Sequence, residues 1–166
     1  MSITHIHRTG PVEPKQFPVK LTAGLKTNTI ESGTLLAFET NTGVTSVVPV
    51  TAWVWDTNEQ TTSRAFAAAF AGVSSGRSNA ATPTDTRDTS ILTTQDGEFE
   101  LLVDSASYQV GSYLKPKKAA GNALTNTLIA TTDALSAIFV VSKTSVGSVT
   151  RVTAYALKTT PKRLSA

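Results

Sequence analysis

The chain has no cysteine, one methionine and two histidines in its 166 residues. Disulfides, thiolate metal sites and cysteine nucleophiles are therefore excluded, and stability has to come from packing, within the chain or also against neighbouring subunits. Charge is sparse as well. Asp, Glu, Lys and Arg make up 16% of the chain, against roughly 25% in an ordinary domain. Thr, Ser and Ala fill the difference, which predicts a neutral, hydroxyl-rich surface. Covering such a surface strips water from few charges, so contact with a partner carries a small desolvation cost. No stretch approaches the ~18 apolar residues of a membrane span. The start Met1-Ser2-Ile3-Thr4-His5 lacks the basic-then-apolar pattern of a signal peptide. A protein made and kept in solution inside a cell is the expectation.

What is present suits one domain with its own core. The net charge of +3 is mild, and the basic residues gather at Lys115, Lys117 and Lys118 and at Lys158, Lys162 and Arg163. Nucleic-acid binding needs a stripe of cations spaced to neutralise phosphates. These clusters read instead as a turn and a tail, so neither nucleic acid nor membrane is expected as a partner.

A small phrase occurs twice: Ile30-Glu31-Ser32-Gly33-Thr34-Leu35-Leu36 and Val110-Gly111-Ser112-Tyr113-Leu114. In each, a glycine corner feeds residues suited to a half-buried strand. Residues 1–18 hold Pro11, Pro14 and Pro18 and predict an extended arm, disordered or laid on a partner. Strands are expected over 19–22, 34–39 and 44–50, with Asn41-Thr42-Gly43 as a tight turn. The run Trp53-Val54-Trp55 is read as continuing the strand to Asp56. One helix follows, over 57–69, with Asp56 or Thr57 as its cap, and with Phe66 and Phe70 on one face plugging the barrel. After a polar loop over 74–88, the segments 89–94 and 99–103 flank Gln95-Asp96-Gly97, a hairpin signal. Further strands are expected over 126–131, 137–142 and 148–157, the last two joined by Ser145-Val146-Gly147. The sum is an all-β, barrel-like domain of about eight to nine strands with one short helix and an extended N-terminal arm. The arm spans 1–18, the barrel domain 19–157 and a loose C-terminal tail 158–166.

Several arrangements imitate chemistry. Gly72-Val73-Ser74-Ser75-Gly76 matches the nucleophile-elbow pattern, but that pattern needs a preceding strand, a following helix and a downstream histidine. The only histidines lie upstream, in the arm. His5-Ile6-His7 offers two metal ligands where structural zinc wants four, so the pair reads as exposed or interface histidines. Glu98 and Glu100 share a strand face, as glycosidase carboxylates can, yet with no aromatic subsite they read as a solvated or salt-bridged face. Trp53 and Trp55 also share a face, open to core, interface or ligand-stacking roles. No catalytic residue, cofactor-binding residue or metal ligand is assigned.

The order of Gly33-Thr34-Leu35-Leu36, the Ala/Phe-rich helix running into Phe70-Ala71-Gly72-Val73, Gly97-Glu98-Phe99-Glu100, and Tyr108-Gln109-Val110-Gly111-Ser112-Tyr113-Leu114 resembles the capsid cement, or head decoration, proteins of tailed bacteriophages. The similarity runs over roughly residues 19 to 157, and its motifs are structural. It implies a small β-rich, non-enzymatic virion protein without cofactor. Such a protein is made in the host cytoplasm and bound outside the expanded head, often as a trimer, where it bridges neighbouring major capsid proteins. Contact with capsid or sister subunits is expected from Ile3, His5, Ile6, His7 and Arg8 of the arm and from Trp53 and Trp55. Two rivals share the composition: a carbohydrate- or receptor-binding β module of the virion, and a single-strand nucleic-acid binder using the tryptophans and lysines.

Overall fold

The two copies of the glycine corner are one piece of structure used twice. In a type II turn the third of the four residues takes positive φ, which glycine adopts at no steric cost. Gly33 sits at φ 84° and Gly111 at φ 85°. Thr34 N–H closes the first turn on Glu31 O at 3.3 Å, and Ser112 N–H closes the second on Gln109 O at 3.0 Å. Each corner then grips a neighbouring strand by the same reciprocal pair. Gly33 N–H donates to Ser74 O and Ser74 N–H returns to Thr34 O; Gly111 N–H donates to Val141 O and Val141 N–H returns to Ser112 O.

The computed structural model describes residues 5–9, 15–18, 30–41, 44–53, 58–75, 90–94, 97–120 and 123–157. In chain order its strands are β1 (Ile6–Thr9), β2 (Lys15–Pro18), β3 (Leu35–Asn41), β4 (Val44–Pro49), β5 (Phe70–Ser74), β6 (Ser90–Thr94), β7 (Glu98–Tyr108), β8 (Tyr113–Lys118), β9 (Leu124–Thr131), β10 (Phe139–Val141) and β11 (Ser145–Ala156), with one helix, α1 (Glu59–Ala69), between β4 and β5. They form two sheets, ordered β1-β7-β11-β10-β8-β9 and β2-β6-β5-β3-β4. A parallel contact of Val103 with Leu128 joins β7 to β9, so five strands of the first sheet close into a barrel. Closure removes the exposed edges that an open sheet presents. The fold is all-β and barrel-like, as expected.

Along β7 the residues Phe99, Leu101 and Val103 alternate inward, and Val152 and Ala154 do so on β11. They share one core with Leu114, Leu128 and Phe139 from the other barrel strands, and with Leu35, Ala37 and Val73 of the second sheet. An aromatic chain crosses this core: Trp53 to Phe66 at 5.5 Å, Phe66 to Phe70 at 6.2 Å, Phe70 to Phe139 at 5.5 Å and Phe139 to Phe99 at 5.6 Å. Phe66 and Phe70 thus stand where the sequence places them, in the core beside the barrel residues. The second sheet buries its other face too, through Ile30, Leu36, Val47 and Ala71.

Several expectations are corrected. The helix is capped by Asn58, whose side chain accepts from the Gln60 and Thr61 amides, a cap worth about 1 kcal/mol. Asp56 and Thr57 lie outside the described residues. The chain breaks after Pro49 into a 3-10 turn over Val50–Ala52, so the strand does not continue through Trp53. β6 and β7 do not pair with each other: β6 joins β2 and β5, whereas β7 joins β1 and β11. Gly97 (φ 111°) redirects the chain from one sheet to the other, because a glycine fixes a change of direction and not the identity of the partner strand. Ser145-Val146-Gly147 is the start of β11, with register shifts between Ser145 and Arg151, and not a connecting loop. Lys115, Lys117 and Lys118 belong to β8. The described part of the arm is built into the sheets, with β1 antiparallel to β7 and β2 antiparallel to β6. That brings the strands among the described residues to eleven. Of the loop expected over 74–88, Ser74 instead ends β5; the rest from 76, the predicted strand over 19–22 and the tail from Lys158 lie outside the described residues.

Candidate functional site

His5 is the first of the arm residues to be placed, and it is not exposed. Its side chain sits at 2% accessibility. The Leu102 amide donates to its Nδ1 at 3.1 Å, and its Nε2 lies 2.9 Å from Asn126 O. An accepting Nδ1 carries no proton, so Nε2 is the protonated nitrogen and donates to Asn126. Burial lowers the imidazole pKa to about 4; the Asn126 bond opposes the shift, and the charge of Arg151 adds to it. Asn126 extends the joint into the second sheet. Its side-chain oxygen accepts from Leu35 N–H at 2.8 Å, and its Nδ2 donates to Gly33 O at 3.0 Å. One histidine and one asparagine therefore tie β1, β7 and β9 to the repeated corner at the start of β3.

Of the other expected contact residues, Ile6 is half-buried on β1. His7 and Arg8 lie on the same strand, with His7 opposite Phe99. Ile3 and Trp55 lie outside the described residues. Trp53 is half-buried against Phe66, and its carbonyl accepts from Leu124 N–H at 3.1 Å. Of the roles left open for it, Trp53 takes a place against the core, and Trp55 lies outside the described residues.

The imitations of chemistry resolve into structure. Ser74 lies in β5, where Thr34 N–H donates to its Oγ and the Oγ donates to Glu31 O at 2.7 Å. Its hydroxyl closes the first corner. Glu98 is buried and accepts from Ser142 Oγ at 2.7 Å, while Glu100 pairs with Arg151 at 3.6 Å. The lysines of β8 pair outward, Lys115 with Glu59 and Lys117 with Asp104. Among the described residues, no group of three or more His, Asp or Glu side chains is placed to hold a metal. No helix among them is long and apolar enough to cross a membrane.

The surface that stands out is one end of the barrel. In a strand, neighbouring side chains point to opposite faces. Asp104, Ser105, Ala106 and Ser107 on β7 are nevertheless all exposed, as are Val146, Gly147 and Ser148 on β11. Both faces of this ribbon are uncovered. Beside it project Val110, 62% exposed, and Val146, 89% exposed. Side-chain hydrogen bonds tie the two segments that carry the valines: Val110 N–H donates to Thr144 Oγ1, and Ser107 Oγ bonds both the carbonyl and the amide of Gly147. Gly147 repeats the geometry of Gly111, at φ 87°. From 105 to 113 and from 144 to 150 the sequence carries no charged residue. A shallow open groove lined by Ser112, Tyr113, Lys115 and Thr131 adjoins the Gly111 corner.

Sequence reasoning missed this end, although a signal was there. Val-Gly-Ser occurs at Val110-Gly111-Ser112 and again at Val146-Gly147-Ser148, and both copies are exposed valine tips on positive-φ glycines. No protein-family model matches the chain, and no characterised protein matches it either.

Proposed function

We propose that this chain is a structural, non-enzymatic virion protein: a cement protein that binds the outer surface of a phage head and bridges neighbouring major capsid proteins. The observation that carries this reading is the uncovered ribbon end, free of charged residues over 105–113 and 144–150, with its two exposed valine tips. Interface cores are depleted in charge, and covering an exposed valine removes apolar surface from water. Small hydroxyl side chains let a partner approach closely, and hydrogen bonds already tie the segments that carry the valines, so little entropy is lost on docking. The serine, threonine and alanine richness of the whole chain and its resemblance to head decoration proteins over roughly 19 to 157 support the same reading.

The mechanism is mechanical. A homotrimer carries three such ends, and once one is seated the others bind at an effective concentration near millimolar. Weak individual contacts then add up to a clamp that resists separation of capsomers under the pressure of packaged DNA. The test is cosedimentation of the purified protein with expanded, undecorated heads of the cognate phage. Saturable pelleting with the heads is expected; protein that stays in the supernatant at micromolar concentration overturns the reading.

A further inference from the structure

His5 offers an inference that does not depend on what the protein binds. Its imidazole is inserted between two strands far away in sequence, and both ring nitrogens are committed to backbone partners: Nδ1 accepts from Leu102 of β7, and Nε2 donates to Asn126 of β9. Only the neutral ring satisfies both. A proton added at Nδ1 would face the Leu102 N–H donor across 3.1 Å, two donors with no acceptor between them. At 2% accessibility the ring has no room to turn the new N–H toward water.

The surrounding charges do not offset this. On β11, Arg151 sets a positive charge near the ring. On β7, Glu100 is engaged by Arg151 and Asp104 by Lys117. On β9, Leu124–Thr131 contains no ionisable residue. The strand that follows the ring is short and singly paired. β1 is four residues long, pairs only with β7 among the described strands, and shifts register between His7 and Thr9.

We infer that β1 is a proton-released latch: protonation of His5 frees Ile6–Thr9 from the edge of β7 while the barrel stays folded. The free imidazole binds its proton near 6.5, whereas the seated one binds it only near pH 4. Opening is therefore favoured increasingly as pH falls through that interval. For a single linked proton the opening equilibrium rises about twentyfold between pH 7 and pH 5.

The experiment is residue-resolved amide exchange on the full chain between pH 7 and pH 4.5, corrected for intrinsic rates. Leu102 and the β1 amides should lose protection by about twentyfold down to pH 5, while Phe139 and Val141 in the barrel hold theirs. His5→Gln, which keeps a donor and an acceptor but has no proton to gain, should abolish the pH dependence. Leu102 protection that is flat with pH, or an unchanged acid response in H5Q, overturns the latch. Should H5Q fail to fold, the ring titration of His5 by NMR in the natural chain decides. A ring that stays neutral well below its ordinary value, with the proton on Nε2, supports the latch; titration near 6.5 refutes it.

Discussion

Asn126 holds Gly33 with its side chain and His5 with its backbone, so a single residue of the barrel fastens both the N-terminal strand and the corner that opens the second sheet. The two halves of the amide are used fully: Nδ2 reaches Gly33 O while Oδ1 accepts from Leu35. Removing the amide leaves a carbonyl and an amide N–H without partners in a partly buried place, at about 1–3 kcal/mol for each unsatisfied group. Asn126→Ala should lower stability by about 2–4 kcal/mol, read by urea titration with an unchanged m-value. Asn126→Asp keeps the acceptor and loses the donor to Gly33, and should fall between the two. A loss under 0.5 kcal/mol for the alanine variant would mean that the joint holds nothing together.

The same joint makes stability depend on pH in a defined direction. The His5 pKa is lowered on folding, from 6.5 to about 4, so between those values the unfolded chain binds more protons than the folded one. Stability from this group is fully present above pH 6.5 and is lost as pH falls toward 4, by about 3 kcal/mol in all. Asp133 acts in a lower window. Hydrogen bonds from Arg64 and Ser136 hold its carboxylate well below the ordinary range, so its contribution is lost only under more acidic conditions. Denaturant titrations at half-unit pH steps separate the two, and H5Q should flatten the upper window alone.

The twin corners predict a graded response to a methyl group. At Gly111 and at Gly147 an added Cβ meets nothing within 4 Å, so the whole cost of alanine there is the positive φ. That cost is about 1–2 kcal/mol at each position. Asparagine tolerates this backbone region better, so Gly111→Asn and Gly147→Asn should lose less than the alanine variants. Thermal unfolding checks the order; an alanine variant as stable as the natural chain would mean that the turn does not require positive φ.

These corners also mark what the sequence could disclose. A glycine between a polar turn and a strand is a local signal, and both the Gly33 and Gly111 corners form as read. The β3–β4 hairpin is equally local, set by two apolar runs either side of Asn41-Thr42-Gly43. The helix is legible from its alanines and from Phe66 and Phe70 at a spacing of four. What is not legible depends on distant partners. Asp96-Gly97 has the composition of a hairpin, yet the strands on either side enter different sheets because β5 and β11 compete for them successfully. The arm, rich in proline and poor in apolar residues, reads as unattached; its anchorage comes from the pairing of β1 with β7 and of β2 with β6 and from one imidazole meeting Leu102 and Asn126, all partners distant in sequence. Trp53 is a strand residue only if the strand continues past Pro49, and the chain enters a 3-10 turn over Val50–Ala52 instead.

The last prediction separates the proposed contact surface from the fold beneath it. Val110 and Val146 are exposed and lie outside the core cluster. Val110→Asp with Val146→Asp should therefore change stability by no more than about 0.5 kcal/mol per site. Head binding should respond differently. A carboxylate pressed into a dehydrated contact without a partner costs more than the 1.4 kcal/mol that equals one decade in affinity. In the proposed trimer, three such ends acting together multiply the loss to on the order of a thousandfold. Val110→Ser with Val146→Ser trims the tips without adding charge and should weaken binding by far less. Folding is followed by circular dichroism and urea titration, and binding by cosedimentation across a protein titration. A folded double-aspartate variant that saturates heads at the natural concentration would place the contact elsewhere on the molecule, because no dehydrated protein interface accepts two unpaired carboxylates per copy without a measurable loss of affinity.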